Sequence, residues 1–500
     1  MKKTTKTLII AIAAVVLLVG VFLLVYFLLP EQEDPKEAKK NEYASEAGTE
    51  SEVPAEYPLV THVPAELKEI TVDNETGKYT LLAETPTKEV TASDGTTSTS
   101  TEATVYTLVG YEDMELLTGS PDTLANDAAA VTAGKIVGDK SNSSDFGFDK
   151  PRSTVTVTYT TGDKATFIVG DDAPADQGTY LMMEGDNNVY LVTSDSVDGF
   201  LIGAMGMIST EIGKEADGEE NNVFSKMVFG GTLFGEDVVF EYADSASFSE
   251  TYRITSPDNV LANEEVVSYM MNNVRSLTAK EVMSVGAKDD QIKEYGLSEP
   301  YVTVEAEYPD LKVSYKASKP DNEGTFYLLS GGAIYKMSTD TVPWVLNDYD
   351  ACIVKSIMRP KYGSVTGISV EIGDEKYDFD IKTETTPSED SDVTETKTTV
   401  TCNGSAIDED KFNTYYQNIV SAERSGGVQD VPEGKKSLLK VTYTFADGTT
   451  GSAEYFEGEN RKCPALVNGT FGTQAFETYV TKIVEDTPVI ASNKSVSSVY

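Results

Sequence analysis

Catalytic and metal-binding side chains are what this 500-residue chain has least of: one histidine, one tryptophan and three cysteines. The histidine, His62, falls in a polar stretch ahead of the first strand pattern, so a Ser-His-Asp triad, a Cys-His pair and a His-based metal site are excluded from the folded part. The cysteines, Cys352, Cys402 and Cys463, are odd in number and have no CxxC spacing, which argues against a disulfide scaffold. A Cys402–Cys463 bridge stays open, because sequence spacing does not give spatial proximity. Positive charge is also scarce. Forty Lys and Arg stand against 82 Asp and Glu, a net charge of −42 that repels nucleic acid and anionic lipid head groups. Such acidity suits solubility first and attraction of Ca²⁺, Mg²⁺ or a cationic partner second. The acidic run "SEDSDVTE" lacks the glycine and fixed spacing of a Ca²⁺ loop. Likewise "VFGGTLFGED" (228–237) lacks the Lys-Ser/Thr of a phosphate loop and reads as a connector. No cofactor is expected.

What is present begins with an uncharged run over 7–29, "TLIIAIAAVVLLVGVFLLVYFLL". It is longer than the apolar region of a signal peptide, and at about 1.5 Å per residue it spans a hydrocarbon core of roughly 30 Å. Lys2, Lys3 and Lys6 precede it while Glu31, Glu33 and Asp34 follow. The expectation is therefore a cytoplasmic stub (1–6), an uncleaved membrane anchor (7–29) and an extracytoplasmic remainder. Residues 30–64, rich in Glu, Lys, Ala and Pro, read as an acidic stalk.

Beyond it the periodicity alternates between 2 and 3.6. Hairpin patterns occur at 67–84 and 365–382, with a looser one at 236–254. Helix starts follow at Ser120, Asn263 and Asp408, spaced by 143 and 145 residues. The last helix places Phe412, Tyr415, Tyr416, Ile419 and Val420 on one face. After the first two helices comes a turn and strand, "DFGFDKPRSTVTVTY" (145–159) and "EYGLSEPYVTVEAEY" (294–308), in which Gly147, Pro151 and Tyr159 match Gly296, Pro300 and Tyr308. In a third copy only Tyr443 aligns. Glycine supplies a backbone angle other residues avoid, proline fixes the next bend, and the recurring tyrosine reads as a packing anchor. The polar runs at 91–104 and 383–401 read as solvated loop tips, and Trp344 as half-buried packing rather than a sugar platform.

The expected fold class is thus α+β: a transmembrane helix, then three repeated β-rich modules at 65–223, 224–361 and 362–488, and a flexible tail at 489–500. Each module pairs an antiparallel sheet with one or two packed helices.

One membrane helix followed by hairpin, helix, "eyGLseP" turn and sheet resembles the bacterial family called domain of unknown function 4340 (DUF4340). The resemblance rests on "QIKEYGLSEPYVTVEAEY" with "GTFYLLSGGAIYKM", and more weakly on "SSDFGFDKPRSTVTVTY" with "GTYLMMEGDNNVYLV", over roughly 65–356; the third copy departs from the turn. It implies a non-catalytic partner of an ABC-type transporter related to gliding-motility auxiliary components. On this reading the chain is a membrane-anchored scaffold or accessory subunit whose partners are transporter or envelope proteins. Two alternatives stand beside it: an extracytoplasmic receptor for cations, wall glycans or peptides, and a hydrolase working with a carboxylate pair.

Overall fold

The computed structural model describes residues 56–91, 97–243, 246–387 and 394–499. The apolar run 7–29 and most of the expected stalk lie outside these. Among the described residues no helix is long and apolar enough to cross a membrane. The fold is α+β and dominated by antiparallel sheet, and it divides into two units between Ser209 and Thr210.

The first unit holds an eight-stranded sheet in the spatial order Val105–Leu108, Gly77–Glu84, Leu67–Asn74, Ser153–Tyr159, Lys164–Asp172, Thr179–Met183, Asn188–Val192, Lys135–Asp139. Every neighbouring pair is antiparallel. Strand Ser153–Tyr159 shows why these residues form sheet. Its alternate residues are buried in strict period 2, with β-branched Val155 and Val157 inward and threonines outward. The helix Ser120–Ala129 buries Leu124, Ala125 and Ala128. Its N-cap is Gly119, at φ 94°, one residue ahead of the expected Ser120.

The second unit holds two sheets. One has nine strands, in the order Val260–Leu261, Tyr252–Ser256, Val238–Tyr242, Lys226–Gly230, Val302–Glu307, Lys312–Ala317, Thr325–Ser330, Ala333–Ser338, Glu281–Val285. The segment read as a connector therefore begins as strand: Val228–Gly230 pair with Thr303–Glu305, and the glycines that follow turn the chain toward Val238. The other sheet has eight strands, in the order Ser405–Ile407, Thr394–Cys402, Glu375–Pro387, Val365–Ile372, Ser437–Phe445, Thr450–Phe456, Lys462–Val467, Phe471–Phe476. Helix Glu409–Val420 lays Phe412, Tyr415, Tyr416, Ile419 and Val420 into its core, and the Asp408 carboxylate caps it by accepting from Lys411 N at 3.2 Å. Helix Glu477–Ala491 completes this layer, and the chain beyond it returns to Asn418, whose amide meets Ser497 O at 2.8 Å and Val499 N at 3.0 Å.

The structure corrects several expectations. The flanks of the threonine-rich runs read as loop tips are paired strands, Thr87–Thr91 with Thr97–Thr101 and Glu375–Pro387 with Thr394–Cys402, while residues 92–96 and 388–393 of those runs lie outside the described residues. β-Branched threonine accepts a pleated backbone without needing burial, so polarity alone misled. His62 does not stand in a solvated stalk. Strand Tyr57–Thr61 pairs with Ala130–Ala133, and the His62 ring stacks on Tyr159 at 3.8 Å. Trp344 is fully rather than half buried, and its indole N–H donates to Asn273 O at 2.7 Å. All three cysteines are free thiols, so Cys402 and Cys463 do not pair.

Candidate functional site

The residues singled out by the repeated turn are distributed, one set to a sheet. Gly147 closes a 3₁₀ turn over Lys140–Phe146 at φ 87°, and Gly296 follows helix Asp289–Glu294 at φ 70°. Pro151 and Pro300 come next, and each is followed within two residues by the first residue of the next strand. Tyr159 is buried and donates its hydroxyl to Ala128 O at 2.9 Å, tying the strand to the C-terminal end of the helix above it. Tyr308 is buried beneath the Arg275 guanidinium, 5.0 Å from its ring centre. Tyr443 is buried within the last core, where desolvation pushes its phenol well above the ordinary range. These side chains hold sheets together and do not converge on a reacting centre.

Convergence occurs instead in the second unit, around a cavity of about 360 Å³ that falls within the size range of small-molecule sites. Three of the chain's six arginines line it: Arg253, Arg359 and Arg424. Arg253 sits on strand Tyr252–Ser256 next to Ile254, which is fully buried; alternation sends Arg253 to the opposite face of the strand. Its Nε is buried without a hydrogen-bond partner among the described residues. Arg424 follows helix Glu409–Val420, and its backbone N–H donates to Lys355 O at 2.8 Å. The Arg424 guanidinium is fixed on all sides. It pairs with Asp350, donates to Thr473 Oγ1 at 3.2 Å and to the carbonyls of Ile353 and Val354, and lies 5.9 Å from the Phe471 ring centre. Arg359 is exposed.

The rest of the wall is apolar and aromatic. Phe248 meets Phe445 edge-on at 5.6 Å, beside Met358 and Phe471. Among the described lining residues Asp447 is the one carboxylate. It is held below the usual carboxylate range by hydrogen bonds from the Thr449 hydroxyl and the Thr449 N–H. This arrangement offers guanidinium donors and ring faces. Of the thiols, burial pushes Cys352 up to about 12 and Cys402 up to about 11, leaving both protonated. Among the described residues no group of three or more His, Cys, Asp or Glu is placed to hold a metal ion.

Sequence reasoning did not single out these arginines. They stand at 253, 359 and 424, too far apart for any spacing rule; arginine's rarity in the chain was the one available signal.

Fold and site together define a β-rich α+β protein with buried structural tyrosines and a cationic, aromatic-walled cavity. Residues 107–217 and 253–440, well over half of the chain, match the family described as domain of unknown function DUF4340, and the chain belongs to that family. The match begins later than the resemblance read from the motifs and extends further, into the last sheet. No curated protein and no solved structure matches the chain significantly.

Proposed function

We propose that this protein is a non-catalytic, membrane-anchored extracytoplasmic scaffold or accessory subunit of an ABC-type transport or cell-envelope complex, built from three related modules. The observation that carries this reading is the common strand order of the three large sheets. In each, the first strand of a hairpin lies beside the first strand of a four-stranded meander, and a helix falls between them in sequence. Tyr159, Tyr308 and Tyr443 end or nearly end the meander's first strand in the three sheets. Each such sheet offers edge strands to which a protein partner could add. The apolar run 7–29, preceded by lysines and followed by acids, supports the anchored topology. Affinity capture of the full chain from detergent-solubilised membranes, with cross-linking and mass spectrometry, should recover an ATPase and a permease. Recovery of the chain alone under several mild detergents would remove this reading.

A second reading, an extracytoplasmic receptor, is favoured by one specific observation: the cavity. Its cationic wall directs that reading toward anionic ligands and away from the cations that the overall acidity suggested.

A further inference from the structure

We propose that the cavity bounded by Arg253, Arg359 and Arg424 binds a small organic carboxylate with an aromatic or apolar body. This goes beyond the accessory-subunit reading and does not depend on it.

The first step is electrostatic. With a net charge of −42, the chain's surface repels anions at long range, so a pocket that gathers half of its arginines creates a local exception. Guanidinium groups present a planar fork that matches a carboxylate and are more weakly hydrated than ammonium groups, which suits a partly enclosed site. Among the described residues no lysine lines the cavity.

The second step is the state of each arginine. Arg424 is already paired with the Asp350 carboxylate and has only 7% side-chain exposure, so it forms a fixed polar wall that needs no ordering when a ligand arrives, and the unpaired charge of the cavity comes from Arg253 and Arg359. Arg253 carries a buried Nε–H without an acceptor among the described residues. Its cross-strand neighbour Glu241 does not serve it; that carboxylate accepts from Thr255 Oγ1 at 3.4 Å. A buried donor left in this state is a standing cost that a ligand oxygen removes. Arg359 forms no ion pair with a carboxylate among the described residues and is exposed, which makes it the group best placed to meet an entering anion.

The third step selects the body of the ligand. Phe248, Phe445, Phe471 and Met358 give the cavity a wall that an inorganic anion would leave uncovered. Burying an apolar ring there contributes through desolvation, as it does in most small-molecule sites. A volume of about 360 Å³ accommodates a ring with a short acid side chain. Asp447, already engaged by Thr449, repels a second negative charge and so favours a monoanion over a polyanion.

The test uses the full chain in detergent and three probes: 3-phenylpropionate, its neutral amide, and inorganic phosphate. Binding is followed by saturation-transfer NMR and titration calorimetry, with Arg359→Gln and Arg253→Gln as variants. The acid should bind about tenfold or more tightly than the amide and than phosphate. Arg359→Gln, an exposed change, should weaken the acid about tenfold and leave the near-ultraviolet circular dichroism unaltered. Arg253→Gln should do the same if it folds; if it does not, Arg359→Gln decides alone. Equal binding of acid and amide would overturn the carboxylate, equal binding of phosphate would overturn the organic body, and no binding of the acid up to about 10 mM would overturn the site.

Discussion

Replacing Tyr416 tests the packing of the last sheet at its most informative point. The side chain is 2% exposed, its hydroxyl donates to Pro360 O at 2.6 Å, and its ring meets Tyr362 edge-on at 4.9 Å. Tyr416→Phe keeps the ring and orphans one buried carbonyl, a cost of about 1–2 kcal/mol. Tyr416→Asp removes the ring as well, worth about 3–5 kcal/mol for a buried aromatic, and puts an unpaired carboxylate into the apolar core of the last sheet. These terms overlap and do not simply add. Even so, a loss of roughly 5 kcal/mol is comparable to the whole stability of many domains. Gln417→Ala, one residue on and exposed, should fall within about 0.5 kcal/mol of the parent. Differential scanning calorimetry of the full chain reads the series. At about 2–4 °C per kcal/mol, the Phe variant should melt roughly 2–8 °C lower, and the Asp variant should lose its transition or shift it by more than about 10 °C. An Asp variant that melts with the parent would refute both the burial of this helix face and the packing argument built on it.

That helix was legible because its information is local. Five apolar residues at helical spacing and an aspartate at the cap specify a face and an end, and the structure uses both. Strand pairs such as Leu67–Asn74 with Gly77–Glu84 were legible for the same reason, since alternation and a tight turn lie within one window. What escaped was information held between distant residues. His62 looked like linker because its partners, Ala129 through the backbone and Tyr159 through the ring, lie far along the chain. The threonine runs looked like loops because solvent-facing strands need no apolar residues, only a partner strand. The cavity was least legible of all. Arg253, Arg359 and Arg424 become neighbours only after the segment around Ile353–Ile357 has joined the last sheet's helix end, through the Ser356–Glu423 bridge and the bond from Ile357 N to Ala422 O. A binding site assembled by tertiary contacts leaves no spacing for a motif to record, whereas a repeated turn records itself and yet does structural work.

Two further expectations bear on the first unit and its comparison with the second. Gly147→Ala should cost more than Gly296→Ala by urea denaturation. Both positions have positive φ, which costs an alanine about 1–2 kcal/mol, but only at Gly147 would the new methyl overlap the Asp171 carboxyl and approach its backbone N to 2.8 Å, whereas at Gly296 the nearest atom is 3.7 Å away. Equal costs would mean that the close approach does not matter. The last expectation concerns Asp127, 8% exposed, whose carboxyl burial raises to about 6 despite a hydrogen bond from Gly199 N–H at 2.7 Å, with Asp198 and Asp195 pushing the same way as burial. A folded-state value above the ordinary 3.8 means the native state holds this proton more tightly than the unfolded chain. Its contribution is therefore fully present below about pH 4, fades as pH rises toward 6, and at pH 7 leaves a deficit of about 3 kcal/mol at 1.36 kcal/mol per pH unit. Asp127→Asn keeps an acceptor for Gly199 and abolishes the titration. The stability difference between variant and parent, which cancels the many other carboxylates, should move in the variant's favour by about that amount between pH 4 and 7. A difference that stays flat across this window would show that Asp127 is ionised in the folded protein at no cost, and that solvent reaches a carboxylate the packing appeared to seal.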